Sequence, residues 1–159
     1  MRVSILTISD SVSAGKAEDR SGPLLASRCT QLGWDVVSSA VRADDHAAIE
    51  EFLKQTADSK AVDLILTTGG TGFGPRDVTP EATTAVLERL IPGFPERMRA
   101  AGATKTPRAI LSRGAAGIRG TTIIINLPGS PNGAVESLDV ISDLLPHSVA
   151  VLHGLHHGS

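Results

Sequence analysis

The chain has 159 residues, 41% of them hydrophobic and 20% charged, and 15 Lys+Arg stand against 17 Asp+Glu for a net charge of −2. These values fit one globular domain over residues 1–159; they exclude a basic nucleic-acid surface and an acidic disordered tail, and aromatics at 3% with no Tyr exclude a base-stacking platform. One cysteine, Cys29, excludes an internal disulfide and a cysteine metal cluster, while no apolar run nears the roughly 20 residues of a membrane span.

In chain order, residues 3–9 (VSILTIS) are β-branched and mostly apolar, the pattern of a buried parallel strand. The run stops at Asp10, too soon for a secretion signal, so a cytoplasmic location is the expectation. Residues 19–32 predict a helix closed by Gly33, and residues 34–41 a second strand. Asp44-Asp45 open a helix whose Ile49, Phe52 and Leu53 share one face. Residues 63–68 form a third strand. Thr79 then reads as an N-cap and Pro80 as a first-turn residue of a helix with Val86, Leu87, Leu90 and Ile91 inward, broken at Pro92-Gly93. A helix over 94–103 with Met98 inward follows, then a glycine-punctuated stretch at 109–120 read as a short strand and a turn. Residues 121–127 (TTIIINL) make the clearest strand, and a loop at 128–133 leads into a long amphipathic helix over 134–145. The tail carries His153, His156 and His157, a run read as a solvated end rather than a metal tract.

Strands alternating with helices, and apolar on both faces, predict an α/β fold with an open, mostly parallel sheet covered on both sides. Ligands of such sheets bind beyond the carboxyl ends of the strands, and the loops after Ser9, Thr68 and Leu127 all open at that edge. The most informative of them lies within TTGGTGFGPRDVTPEAT, residues 67–83. Strand, glycine-rich loop and helix present backbone N–H groups and a helix N-terminus to an anion. Two common phosphate loops fail on the residues. Gly69 and Gly74 have Walker A spacing, but Pro75-Arg76 stands where Lys-Ser/Thr is needed. Gly70 and Gly72 start a dinucleotide fingerprint, but Pro75 takes the third glycine's place.

Asp77 reads either as a second cap or a partner for Arg76, or as a carboxylate that holds Mg²⁺ or handles a proton beside a phosphate. Asp44 reads as a helix N-cap or as a second metal carboxylate on the same sheet edge. Ser9-Asp10-Ser11 and Gly129-Ser130-Pro131 read as turn and cap residues, or as polar donors toward a ligand.

The motif TTGGTG-x-x-x-RDVTPEAT resembles the signature of the MoaB/Mog family of molybdenum cofactor biosynthesis. The likeness extends to Ser9-Asp10, Asp19-Arg20-Ser21-Gly22, Asp44-Asp45, Pro92-Gly93-Phe94 with Met98-Arg99, Ala109-Ile110-Leu111-Ser112-Arg113 and Asn126-Leu127-Pro128-Gly129-Ser130-Pro131. The resemblance implies a three-layer α/β/α domain, usually assembled as a homotrimer, that transfers AMP from ATP to the terminal phosphate of molybdopterin with Mg²⁺ and releases pyrophosphate. It implies catalytic, Mg-holding carboxylates at Asp44 and Asp77. Gly69, Gly70, Thr71, Gly72 and Pro80 would serve nucleotide phosphate, with Ser9, Asp10, Ser112, Arg113, Gly129, Ser130 and Pro131 around the pterin and phosphate pocket. A molybdate-insertion protein is the implied downstream partner. Ala43 departs from the family's usual Pro before the first Asp. The alternative is a molybdopterin carrier of the same fold without catalysis; relatives that hydrolyse nucleotides usually carry further domains.

Overall fold

The computed structural model describes residues 1–155. One six-stranded sheet runs in the order β2-β1-β3-β6-β5-β4. Its parallel part is β1 (Arg2–Ile8), β2 (Asp35–Arg42), β3 (Leu64–Thr68) and β6 (Thr122–Leu127). Beside β6 run β5 (Ala116–Arg119) and β4 (Arg89–Leu90), each antiparallel to its neighbour. Residues of β1, β3 and β6 alternate between two cores, as a pleat of period two dictates. Val3, Ile5, Leu64, Leu66, Ile123 and Ile125 pack on one face with Leu25, Phe94, Leu138 and Leu145. Leu6, Ile8, Ile65 and Ile124 pack on the other with Ile49, Leu53, Ala82 and Val86. The expected three layers follow, because β1, β3 and β6 are buried on both faces and need helices on each side.

The helices are α1 (Asp10–Ser13), α2 (Ser21–Gln31), α3 (His46–Asp58), α4 (Thr79–Val86), α5 (Gly93–Ala103), α6 (Pro131–Asp139) and α7 (Leu145–Leu152). Among the described residues, no helix is long and apolar enough to cross a membrane.

Several boundaries differ from expectation. The expected inner face of α4 fails after Val86: Leu87 is extended, the Glu88 N–H reaches the Ile118 carbonyl at 2.8 Å, and the Ile91 N–H reaches the Ala116 carbonyl at 2.8 Å. Those backbone groups find partners on β5 that a continuing helix would deny them, and Leu90 ends on the surface, 63% exposed. Thr79 is not the cap of α4; Val78 holds that position, and the buried Thr79 hydroxyl donates instead to the Gly69 carbonyl at 2.9 Å. The helix expected over 134–145 starts earlier, with Ser130 as N-cap and Pro131 in its first turn, and stops at Asp139. Past Asp139 the chain tightens: the Ile141 N–H bonds the Leu138 carbonyl at 3.1 Å and the Leu144 N–H the Ile141 carbonyl at 3.0 Å, before Pro146 falls in the first turn of α7. Strand β2 is a solvent-washed edge, not apolar on both faces, with Val37 at 44% exposure. Helix α2 begins two residues later than expected, and Asp19 instead accepts the Gly22 N–H at 3.0 Å ahead of it. The short α1 had no sequence signal. His156 and His157 lie outside the described residues, and His153 meets the Thr121 carbonyl at 3.1 Å.

Candidate active site

The four parallel strands end at one edge, and the loops that leave it enclose a polar cavity of about 370 Å³. Its walls come from Ser9 after β1, Asp44 after β2, Thr68, Gly69, Gly70 and Asp77 around β3, and Gly129 and Pro131 after β6. The segment entering α2 closes one side with Glu18, Asp19, Arg20 and Ser21. Four lining residues are therefore acidic (Glu18, Asp19, Asp44, Asp77) and Arg20 alone is basic. A polyphosphate entering here meets like charge unless a cation accompanies it.

Close approach of backbones builds the floor. Gly69 has φ +105°, and a Cβ there would collide with the Ile8 carbonyl oxygen; Gly129 stands against it, with only 3.3 Å between a Cβ at Gly129 and the Gly69 Cα. The Thr68 hydroxyl donates to the Pro128 carbonyl at 2.7 Å and the Gly69 N–H to the Leu127 carbonyl at 3.2 Å, so the β3 and β6 loops are locked together. The Gly69 amide is thus committed. The phosphate cradle expected from Gly69 to Gly72 therefore lacks the Gly69 amide, and of the other three residues Gly70 lines the cavity.

Asp45 accepts the Ala48 N–H at 2.9 Å and caps α3, which frees Asp44 from the capping role open to it in the sequence. Asp44 instead exchanges hydrogen bonds with Asp10: the Asp10 N–H donates to Asp44 Oδ2 at 2.9 Å, and the Asp44 N–H to Asp10 Oδ1 at 3.0 Å. Its Oδ1 faces Gly70, 3.1 Å from where a Cβ would stand. Burial raises the Asp44 carboxyl above the usual carboxylate range; the Asp10 N–H opposes this, and the charges of Asp10 and Asp77 add to it. Arg76 is not a partner of Asp77. Its Nε and Nη2 grip both oxygens of Asp10 at 3.0 and 3.1 Å, which holds the Asp10 carboxyl low. Asp77 Oδ2 accepts the Gly74 N–H at 2.8 Å, and a Cβ at Gly72 would lie 2.9 Å from the same oxygen.

Arg113, expected to line the pocket, clasps the glycine loop from outside. Its Nε donates to the Gly72 carbonyl at 2.8 Å, its Nη2 to the Asp77 carbonyl at 2.9 Å and its Nη1 to Glu81 at 2.9 Å, while its backbone N–H holds the Thr71 carbonyl at 2.9 Å. Thr71, within that loop, and Pro80, in the first turn of α4, are both buried.

A second cleft, of about 280 Å³, lies between α5 and α6. Pro95, Met98, Pro128 and Val140 give it apolar walls, and Ser112, Ser130 and Asn126 give it polar edges. One loop serves both spaces: Gly129 and Pro131 face the polar cavity, and Pro128 and Ser130 face the cleft. Arg99, Lys105 and Arg108 also line the cleft. Of these only the Met98-Arg99 segment carried a signal in the sequence, and Arg99 is occupied by the carbonyls of Ser112 and Gly114 at 3.1 and 3.3 Å.

Among the described residues, no group of three or more His, Cys, Asp or Glu is arranged to hold a metal unaided. Two carboxylates over glycines, with open space above, match the coordination of Mg²⁺, which takes one or two carboxylates and completes its shell with phosphate oxygens and water. The donor set therefore fits the ion implied by the sequence.

The family described as "Probable molybdopterin binding domain" matches residues 4–147. A molybdopterin adenylyltransferase of Helicobacter pylori is 38% identical over 97% of this chain and 89% of its own length, and one from Escherichia coli K12 is 39% identical over 98% and 80%. A molybdenum cofactor biosynthesis bifunctional protein of Synechococcus elongatus is 40% identical; the chain covers 98% of itself but 48% of that protein. Among solved structures, the molybdopterin biosynthesis enzyme MoaB of Thermus thermophilus superposes with a TM-score of 0.91 at 45% identity, covering 97% of each chain. The chain belongs to the molybdopterin-binding domain family of molybdenum cofactor biosynthesis.

Proposed function

We propose that the chain is a molybdopterin adenylyltransferase: the terminal phosphate of molybdopterin attacks the α-phosphate of ATP, AMP is transferred and pyrophosphate leaves. The observation that carries this reading is the pair Asp44 and Asp77 on one glycine-floored, acid-lined cavity that shares a loop with an apolar cleft. Relatives named for this activity at 38% and 39% identity support it.

Transfer between two phosphates is chiefly a matter of positioning and charge neutralisation. Asp44 and Asp77 would hold Mg²⁺, which would supply the positive charge that a phosphoryl group requires in this acid-lined cavity. Amides of Gly70 to Gly72 and the Ser9 hydroxyl orient the nucleotide phosphates, and Arg20 adds a fixed charge at the start of α2. The pterin, flat and heteroaromatic, fits the second cleft, with Ser112 and Ser130 as hydrogen-bonding edges. Its phosphate then reaches the polar cavity past Gly129 and Pro131. Asp10 and Arg113 support the loops from behind. We assign a homotrimer in the cytoplasm, with the adenylylated product passed to a molybdate-insertion protein; light scattering on the purified chain tests the assembly.

Asp77→Asn is expected to reduce pyrophosphate release from ATP, Mg²⁺ and molybdopterin to background while molybdopterin binding persists. An active Asp77→Asn protein would overturn the role given to Asp77. A wild-type protein that binds molybdopterin without releasing pyrophosphate would establish the carrier alternative.

A further inference from the structure

We infer that Asp10 and Arg76 are positioning residues that form a latch across three loops and fix the carboxylate of Asp44. The inference rests on the adenylyltransferase reading of the site. Both residues are polar, lie at the sheet edge and invite assignment to substrate. Their geometry points elsewhere.

Asp10 does not line the polar cavity, whereas Ser9 and Asp44 on either side of it do. Each of its oxygens is taken by Arg76, and Oδ1 also accepts the Asp44 N–H. Its own N–H holds Asp44 Oδ2, so Asp44 is gripped at backbone and side chain by a single residue. The three participants follow β1, β2 and β3, with Asp44 34 positions and Arg76 66 positions along the chain from Asp10. The link is therefore tertiary and has no counterpart in local turn chemistry.

Arg76 has two tasks in this arrangement. Its planar fork meets both carboxylate oxygens, which fixes the Asp10 side chain in the rotamer that reaches Asp44. Its charge also offsets that of Asp10, which otherwise adds to an already acidic cavity. The Asp10 side chain so held accepts the Asp44 N–H, the Asp10 backbone N–H ties Asp44 Oδ2 to the loop, and Oδ1 is left toward Gly70 and the cavity. Groups behind a metal-holding carboxylate orient it, and their loss typically costs about 10–100-fold in affinity or activity.

The test compares Asp10→Asn, Asp10→Ala, Arg76→Gln and the double variant Asp10→Ala/Arg76→Gln in the full chain. Pyrophosphate release gives kcat and the KM for ATP, and amide hydrogen exchange over residues 42–46 is read on the protein alone. Asp10→Ala is expected to lower kcat about 10–100-fold with little change in KM for ATP, and to speed exchange at Asp44. Asp10→Asn, which keeps an acceptor for the Asp44 N–H, recovers much of that loss. The double variant is expected to match Asp10→Ala, because Arg76 acts through Asp10. Multiplying losses in the double variant, or a raised KM for ATP in Arg76→Gln with kcat intact, places Arg76 on phosphate and overturns the latch. Unchanged exchange at Asp44 in Asp10→Ala overturns it as well. That last readout needs no turnover, so failure of the latch is distinguishable from failure of the adenylyltransferase reading, which wild-type pyrophosphate release tests separately.

Discussion

Gly69 shows how one backbone atom shapes the site. Its φ of +105° and the adjacent Ile8 carbonyl leave no room for a side chain, and its amide and carbonyl are bonded to Leu127 and Thr79. Gly69→Ala forces either a strained residue or separation of the β1 and β3 loops, at a cost of about 1–3 kcal/mol. Chemical denaturation is expected to show that loss, and pyrophosphate release to fall further than stability alone explains, because the cavity floor moves. Gly15 and Gly33 also have positive φ but have open space where a Cβ would stand, so collision singles out Gly69 from them.

At the scale of elements, the adjacent aspartates at the start of α3 have separate tasks, and substitution separates them. Asp45→Ala removes the cap of α3 and is expected to lower stability by about 0.5–2 kcal/mol in thermal unfolding while leaving most of the activity. Asp44→Asn is expected to do the reverse. The sequence made the central strands plain, because β1, β3 and β6 are short β-branched runs buried on both faces, and it brought the loops after Ser9, Thr68 and Leu127 to one edge. It concealed β4, since residues 86–91 have helical spacing and only pairing with β5 decides their conformation. It also concealed the break between α6 and α7, because the apolar periodicity of 134–145 runs through it. The partnership of Arg76 with Asp10 was hidden for another reason: Arg76 stands next to Asp77 in the chain, and only the convergence of the β1 and β3 loops brings it to Asp10 instead. Arg113 likewise carried a family resemblance but no sign that its guanidinium faces carbonyls rather than substrate.

The whole molecule is stapled at the end of the sheet opposite the cavity, where Asp63 accepts the Arg2 N–H at 2.8 Å and pairs with the Arg2 guanidinium at 3.0 Å. Burial pushes the Asp63 carboxyl upward, but the hydrogen bonds and charge of Arg2 outweigh it and hold the group below its ordinary value. A carboxyl whose folded pKa is depressed stabilises the fold above its unfolded value, near 3.9, and that contribution fades as pH falls through the folded value. Asp63→Asn is therefore expected to be less stable than wild type at pH 7 in urea, with the gap narrowing below about pH 4. The loop at residues 128–131 has a consequence for the molecule as a thermodynamic object. Since alternate residues of this one segment wall both spaces, occupancy of either bears on the other, and binding free energies obey reciprocity. Whatever factor a non-hydrolysable ATP analogue applies to the dissociation constant of molybdopterin, molybdopterin must apply to that of the analogue. Calorimetric titrations in both orders are expected to return a single coupling factor different from one, and Gly129→Ala, which wedges the loop away from Gly69, to shift it.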